Sequence, residues 1–238
     1  MVVYFYTHRG KQRTNNEDAL LVNGRVFQTE AMDVVQSENF QGGWLVVADG
    51  LGGHARGEVA SRIVLEILQE RNPQDKESLM STLWEAKDVL LEYARQHPQA
   101  YGLGTALAGF LVREEDVLVF NVGDCRVYGY SKGWVRLTKD HTVVEDLIDK
   151  GQLTPQEAKN HPRRHILTSA LTGDMSDFEI YIRQVDIPVA LLACSDGFWE
   201  EMEDDLNACG TDVNLIMEVL KEKPQKDNVS FLLLKRNV

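Results

Sequence analysis

Cysteine is scarce in this 238-residue chain. Only Cys125, Cys194 and Cys209 occur. No two of them have CxxC spacing, and an odd count gives no disulfide framework, so a reducing compartment is expected. No run of 18 or more apolar residues occurs, which leaves no expected membrane span. The first residues, MVVYFYTHRGKQR, place a short apolar stretch before the positive charges. A secretory leader has the reverse order and a longer apolar core. A cytoplasmic location is therefore expected. Basic charge is also in short supply, with 25 Lys and Arg against 37 Asp and Glu, a net charge of −12. Phosphate-neutralising lysines and arginines supply most affinity for nucleic acid and for anionic membrane, so neither partner is expected. Phosphate can still be bound by an acidic protein if metal cations stand between the two.

What remains is an ordinary globular composition, 43% apolar and 26% charged. Internal repeats and Pro-, Ser- or Gln-rich linkers are lacking, so residues 1–238 are read as a single domain. Four short, nearly all-apolar runs, Trp44–Ala48, Val117–Val122, Val189–Cys194 and Val229–Leu234, predict strands buried on both faces. Val127–Tyr130 and Trp134–Leu137 flank Ser131-Lys132-Gly133 as a hairpin. Glu58–Glu70 and Lys76–His97 carry helical period, and a third helix is expected over Val213–Lys221. Thr154-Pro155-Gln156-Glu157 is a capping box opening a short helix in a polar stretch, Asp140 to Arg164, that reads as a surface flap. Two consecutive helices break any β-α-β alternation. The expected class is α+β, with packed sheets inside and helices outside.

Four aspartates recur at the ends of the most hydrophobic runs. Asp49 follows WLVVA, Asp124 follows VLVFNVG, Asp196 follows VALLACS, and Asp227 precedes Asn228 and VSFLLL. Singly, an Asp-Gly or Asp-Asn pair is a turn. Together, carboxylates at a common sheet edge repel one another unless cations relieve them. Carboxylates, carbonyls and water select hard ions, Mg²⁺ or Mn²⁺, and there is no His/Cys cluster for zinc. The loop after Asp49, GLGGHARGE, lacks the lysine of a Walker loop. It matches G-x-G-x-x-A, but helix occupies the region where a second strand should carry the ribose-binding acid. A cysteine nucleophile is also excluded. Cys-x₅-Arg fails because Cys125 meets Ser131 and Cys194 meets Glu200. Arg13-Thr14-Asn15-Asn16-Glu17-Asp18 adds an arginine whose planar fork would suit a phosphate dianion if the acid pair joins the cluster.

The segments RTNNEDAL, VVADGLGGHARGEVAS, GTALAGFLV, NVGDCRVYGY, LTKDHT, HPRRHILTSALTG, LLACSDGFWE and KDNVSFLLL, in that order, resemble the metal-dependent serine/threonine protein phosphatases of the PPM family, type 2C, in their compact bacterial form. The resemblance implies a four-layer α-β-β-α sandwich, two antiparallel sheets flanked by helix pairs, with a metal pair at one end. Asp49 matches the metal-bridging aspartate and Gly50 the carbonyl ligand. Asp196 and Asp227 match ligands of the first metal. Glu17 and Asp18 match the acids on the second metal's side, directly or through water. Asp124 and Asp196 match a weaker third site. Arg13 matches the phosphate-binding arginine, and Asp140–Thr172 the flap that tunes substrate access. Leu51 stands where methionine is usual, Cys125 where serine is usual, and Leu171-Thr172-Gly173 replaces a shorter Leu-Gly.

The implied reaction is hydrolysis of protein phosphoserine or phosphothreonine by a water held between two Mn²⁺ or Mg²⁺ ions, without a phospho-enzyme. The partners implied are phosphorylated proteins, substrates of a cognate Ser/Thr kinase, and the chain is expected to be a monomer. His54 in the glycine loop is the candidate general acid; orienting the loop or a ligand is its alternative role. A non-catalytic sensor and a two-metal nuclease are the competing classes. The intact acid set disfavours the first, and the lack of a basic groove the second.

Overall fold

The computed structural model describes residues 1–51 and 56–236. In chain order its elements are β1 (Val2–His8), β2 (Ala19–Val22), β3 (Arg25–Phe27), β4 (Gln36–Asn39), β5 (Trp44–Leu51), α1 (Gly57–Arg71), α2 (Lys76–Gln96), β6 (Gly104–Val112), β7 (Asp116–Val122), β8 (Arg126–Tyr130), β9 (Trp134–Arg136), α3 (Val143–Asp149), α4 (Pro155–Ala158), β10 (Leu171–Thr172), β11 (Tyr181–Asp186), β12 (Ala190–Cys194), α5 (Asp196–Met202), α6 (Leu206–Cys209), α7 (Val213–Glu222) and β13 (Val229–Lys235).

One sheet runs β4-β1-β13-β12-β8-β9, and the other β11-β7-β6-β5-β2-β3, with β10 added beside β6. Every pairing between these strands is antiparallel. Side chains of successive strand residues point to opposite faces, so a strand buried on both sides must be apolar throughout. β5 shows this. Trp44, Val46 and Ala48 pack under α1 and α2, while Leu45 and Val47 enter the layer between the sheets. In β13, Phe231 and Leu233 meet α5, α6 and α7, while Leu232 and Leu234 face the inter-sheet layer. The result is the expected α-β-β-α order.

The caps explain the helix limits. Asp75 starts α2 by accepting the Ser78 N–H at 2.7 Å, and the Ser78 side chain returns to the cap. The Thr154–Glu157 box opens α4 as the sequence predicts. Two readings change. Asp49 does not end its strand. β5 runs on to Leu51, because Thr105 and Gly104 of β6 remain available to pair with Gly50 and Leu51. The flap reading also fails at the flap's root. Asp140, His141, Thr142 and Glu145 are buried, since Asp140 is neutralised by the equally buried Arg126 at 2.7 Å. The strands β1 and β2 were not anticipated. β1 mixes aromatic and polar residues, and β2 is only four residues long.

Candidate active site

The inter-sheet layer changes character at one end of the sandwich. Along β1, Val3 and Phe5 are followed on the same face by Thr7. On β13, Leu234 and Leu232 are followed by Ser230. Along β12, Leu191 and Ala193 lead to Ser195, and along β5, Leu45 and Val47 lead to Asp49. Asp18 stands two residues before Leu20 at the start of β2. The hydroxyls of this polar rung bond to one another and accept from neighbouring N–H groups. Thr7 and Ser230 share a hydrogen bond of 2.7 Å, Thr7 accepts from Asn16 at 2.8 Å, and Ser195 accepts from the Ser230 N–H at 3.0 Å.

Asn228 staples the loop that precedes β2 to the start of β13. Its amide N–H₂ donates to the carbonyls of Arg9 and Asn15, at 3.0 and 2.9 Å, and its side-chain oxygen accepts the Glu17 N–H at 2.8 Å. This carries Arg13, Glu17 and Asp18 to Asp227. Arg13 Nη2 reaches Asp227 Oδ2 at 2.5 Å. From the other side, the Gly50 N–H donates to the Glu17 carbonyl at 3.2 Å. The start of α1 presses on the same point. A Cβ on Gly50 would lie 2.3 Å from the Gly57 carbonyl carbon and 2.7 Å from the Glu17 carbonyl oxygen, so only glycine fits.

These residues line a cavity of about 410 Å³, with Asp49, Gly50 and Leu51 of β5, Asp124 of the β7–β8 turn, Asp196 at the head of α5, and Asp227. Asp18 lies deeper, behind the wall. It has no exposed surface, and neither carboxylate oxygen has a hydrogen-bond partner among the described residues. Burial pushes Asp18 up to about 7; the nearby Ser230 hydroxyl works against it, Asp196 adds to it, and Ser195 and Asp227 contribute less in the same opposing senses. Burial, then Asp227 and Glu200, push Asp196 to about 7 as well. Asp49 is driven well above the carboxylate range by burial and then by Asp18, Asp196, Asp124 and Asp227, and Asp124 by burial and then Asp196 and Asp140. Glu17 is raised by burial first. Asp18, Asp49, Asp124, Asp196 and Glu17 resist ionising first because they are buried and then because their neighbours are acids.

A buried, unpartnered carboxylate amid raised carboxyls is costly unless positive charge meets it. The donor set is all oxygen, which fits a hard divalent ion. Among the described residues, no three Asp, Glu, His or Cys side chains form a ready-made cage for one ion. Mg²⁺-like ions do not require one, because they keep several waters and take one or two carboxylates. A larger groove of about 1130 Å³ between β9 and β11 has only Asp116 and Asp186 as acids, one half-buried and one exposed.

The structure therefore brings Arg13, Glu17, Asp49, Gly50, Asp124, Asp196 and Asp227 to one cavity, with Asp18 behind it. His54 lies outside the described residues. The sequence reading missed His165 and Leu167, which reach the same cavity from the segment before β10, and Asn228, noted only as a turn residue. The signal for the first pair was HPRRHIL within the polar stretch. All three cysteines are buried, and burial raises the Cys125 and Cys194 thiols, so neither is a thiolate nucleophile.

Fold and site together define a class: a two-sheet sandwich closed by helices, with an acid-lined cavity at its end and an arginine on the rim. Residues 27–230 match the family described as protein phosphatase 2C. The serine/threonine phosphatase stp of Listeria innocua is 30% identical over 253 residues, covering 98% of this chain and 95% of that protein. The crystal structure of the Mycobacterium tuberculosis serine/threonine phosphatase PstP/Ppp superposes with a TM-score of 0.80 at 26% identity, with all of both chains covered. A structure of a PstP catalytic domain in complex with two manganese ions superposes at 0.72 and 25% identity, covering 98% of each chain. The chain belongs to the protein phosphatase 2C family.

Proposed function

We propose that the protein is a metal-dependent hydrolase of phosphoserine and phosphothreonine in proteins. One observation carries the metal requirement: Asp18, wholly buried with both carboxylate oxygens unpartnered among the described residues, behind a wall formed by Asp49, Asp124, Asp196 and Asp227. The two manganese ions of the PstP relative support a pair here. Asp49 would serve both ions, and the Gly50 carbonyl would add a ligand to one. Asp196 and Asp227 would hold one, and Glu17 and Asp18 would serve the other directly or through water. Asp124 with Asp196 would offer a weaker third position. Mn²⁺ or Mg²⁺ bound there supplies Lewis acidity that lowers the pKa of a water toward neutral and offsets the charge of a phosphate dianion.

The chain's own groups do the rest. Arg13 stands half-exposed at the rim, with its fork on Asp227. Turning one N–H pair toward a phosphate gives charge-assisted bonds to two equatorial oxygens while the Asp227 contact holds the side chain in register. His165 and Leu167 close the side facing the 140–172 segment. The substrates are phosphoproteins, the products of a Ser/Thr kinase. Hydrolysis of a phosphoserine peptide with Mn²⁺, its loss in EDTA and its return on adding Mn²⁺ are the test. Turnover at full rate in EDTA would contradict the reading. Parallel plasmid-nicking activity would point to a nuclease instead.

A further inference from the structure

Arg126 is a buried guanidinium whose work is not explained by the cavity. It opens β8, two residues after Asp124. Nε and Nη2 grip the Asp140 carboxylate at 3.0, 3.1 and 2.7 Å, and Nη1 donates to Glu203 at 2.8 Å and to the Tyr128 hydroxyl at 3.0 Å. Its flat face lies 3.4 Å from the Trp199 ring centroid, a desolvated cation–π contact. Trp199, on α5, then spends its single N–H on the Asp124 carbonyl at 2.8 Å. The other side of that turn is held as firmly. The Gly123 N–H donates to His141 Nδ1 at 3.0 Å, and the Gly123 carbonyl accepts from the His141 N–H at 2.9 Å and from Asn121 at 3.0 Å.

A buried ion pair is a poor device for stability, because apolar residues of the same volume do as well; its use is to specify one arrangement. What this one specifies is the β7–β8 turn. We infer that Trp199, held flat by Arg126, is a positioning residue that sets the Asp124 carboxyl toward the cavity, and that Asp140 on the same guanidinium ties the root of the 140–172 segment to that setting. This rests on the reading of Asp124 as an ion ligand. Groups that orient a metal ligand through its other atoms typically change ion affinity by about 10- to 100-fold when removed.

The test uses Trp199→Phe, which keeps one aromatic ring for Arg126 and removes the N–H with the indole's second ring. The whole chain, freed of metal, is titrated with Mn²⁺ while free ion is read by electron paramagnetic resonance. The expected result is a loss of about tenfold in the weakest binding step alone. The tighter steps stay within twofold, the melting temperature in EDTA stays within a few degrees, and KM for a phosphoserine peptide at saturating Mn²⁺ is unchanged. Arg126→Lys, which keeps the charge but loses the fork and the flat face, should move the same step in the same direction. Asp124→Asn separates the two claims. If it weakens the weakest step and Trp199→Phe leaves every step alone, or lowers all steps and the EDTA melting temperature together, the positioning role is overturned and the ligand reading stands. If Asp124→Asn leaves Mn²⁺ binding untouched, the ligand reading of Asp124 falls and the inference with it.

Discussion

The layer between the two sheets has two ends made by the same strands, and they obey opposite rules. At one end Phe5, Leu20, Val47, Phe110 and Leu232 fill the space with side chains that require nothing but contact. At the other, one or two rungs further on, the same faces present Thr7, Asp18, Asp49, Ser195 and Ser230. Strand pairing is indifferent to the change, since the register of β5 on β6 passes through Asp49 without a break. The backbone ladder builds the wall, and the side chains decide whether a rung contributes stability or chemistry. The acidic rung opposes folding on its own and becomes tolerable when counter-charge arrives.

Substitutions at the two ends should therefore separate activity from stability. Asp49→Ala is expected to lower phosphopeptide hydrolysis by about 10³-fold or more, with the circular dichroism spectrum and melting temperature retained. Near-normal turnover would break the comparison. Phe110→Ala, in the apolar end, should cost about 3–5 kcal/mol in denaturant unfolding, with kcat of the folded enzyme within twofold. A stable protein with lost turnover would reverse the assignment of the two ends. Arg13→Ala should raise KM for phosphopeptide by about tenfold, as a charge-assisted contact worth about 1.5 kcal/mol is lost. An unchanged KM would remove Arg13 from the phosphate.

The smallest effect is thermal and pH-dependent. Asp18 and Asp196 lie at about 7 in the fold and in the ordinary carboxylate range once unfolded. Between those values the folded, metal-free chain holds more protons than the unfolded one, so its stability falls as pH rises through the window. Metal-free protein should melt several degrees higher at pH 5.5 than at pH 8, and Asp196→Asn should flatten that slope. Melting that climbs with pH would contradict the acidic nest.

Much of this was legible in the chain. The apolar runs place β5, β7, β12 and β13 because strands buried on both faces have no polar rung to blur the pattern. Aspartates beside them mark the cavity. What escaped notice was set by contacts at a distance. β1 carries polar and aromatic residues that become core only when β13 pairs with it. The buried root of the 140–172 segment looks polar until Arg126, fourteen residues earlier than Asp140, is seen to neutralise it. Asn228 reads as a turn residue, yet its side chain spans more than 200 positions to hold the loop that carries Arg13 and Glu17. Partnerships of this kind leave no periodic trace.

The most direct test is a Mn²⁺ titration of the metal-free chain in which bound ion and phosphoserine-peptide hydrolysis are followed in the same samples, for the native protein and Asp49→Ala. At least two ions bound per native chain, with hydrolysis rising as they bind and both lost in Asp49→Ala, is the expected result. Hydrolysis that proceeds without bound ion, or two ions bound as tightly by Asp49→Ala as by the native chain, would contradict the account.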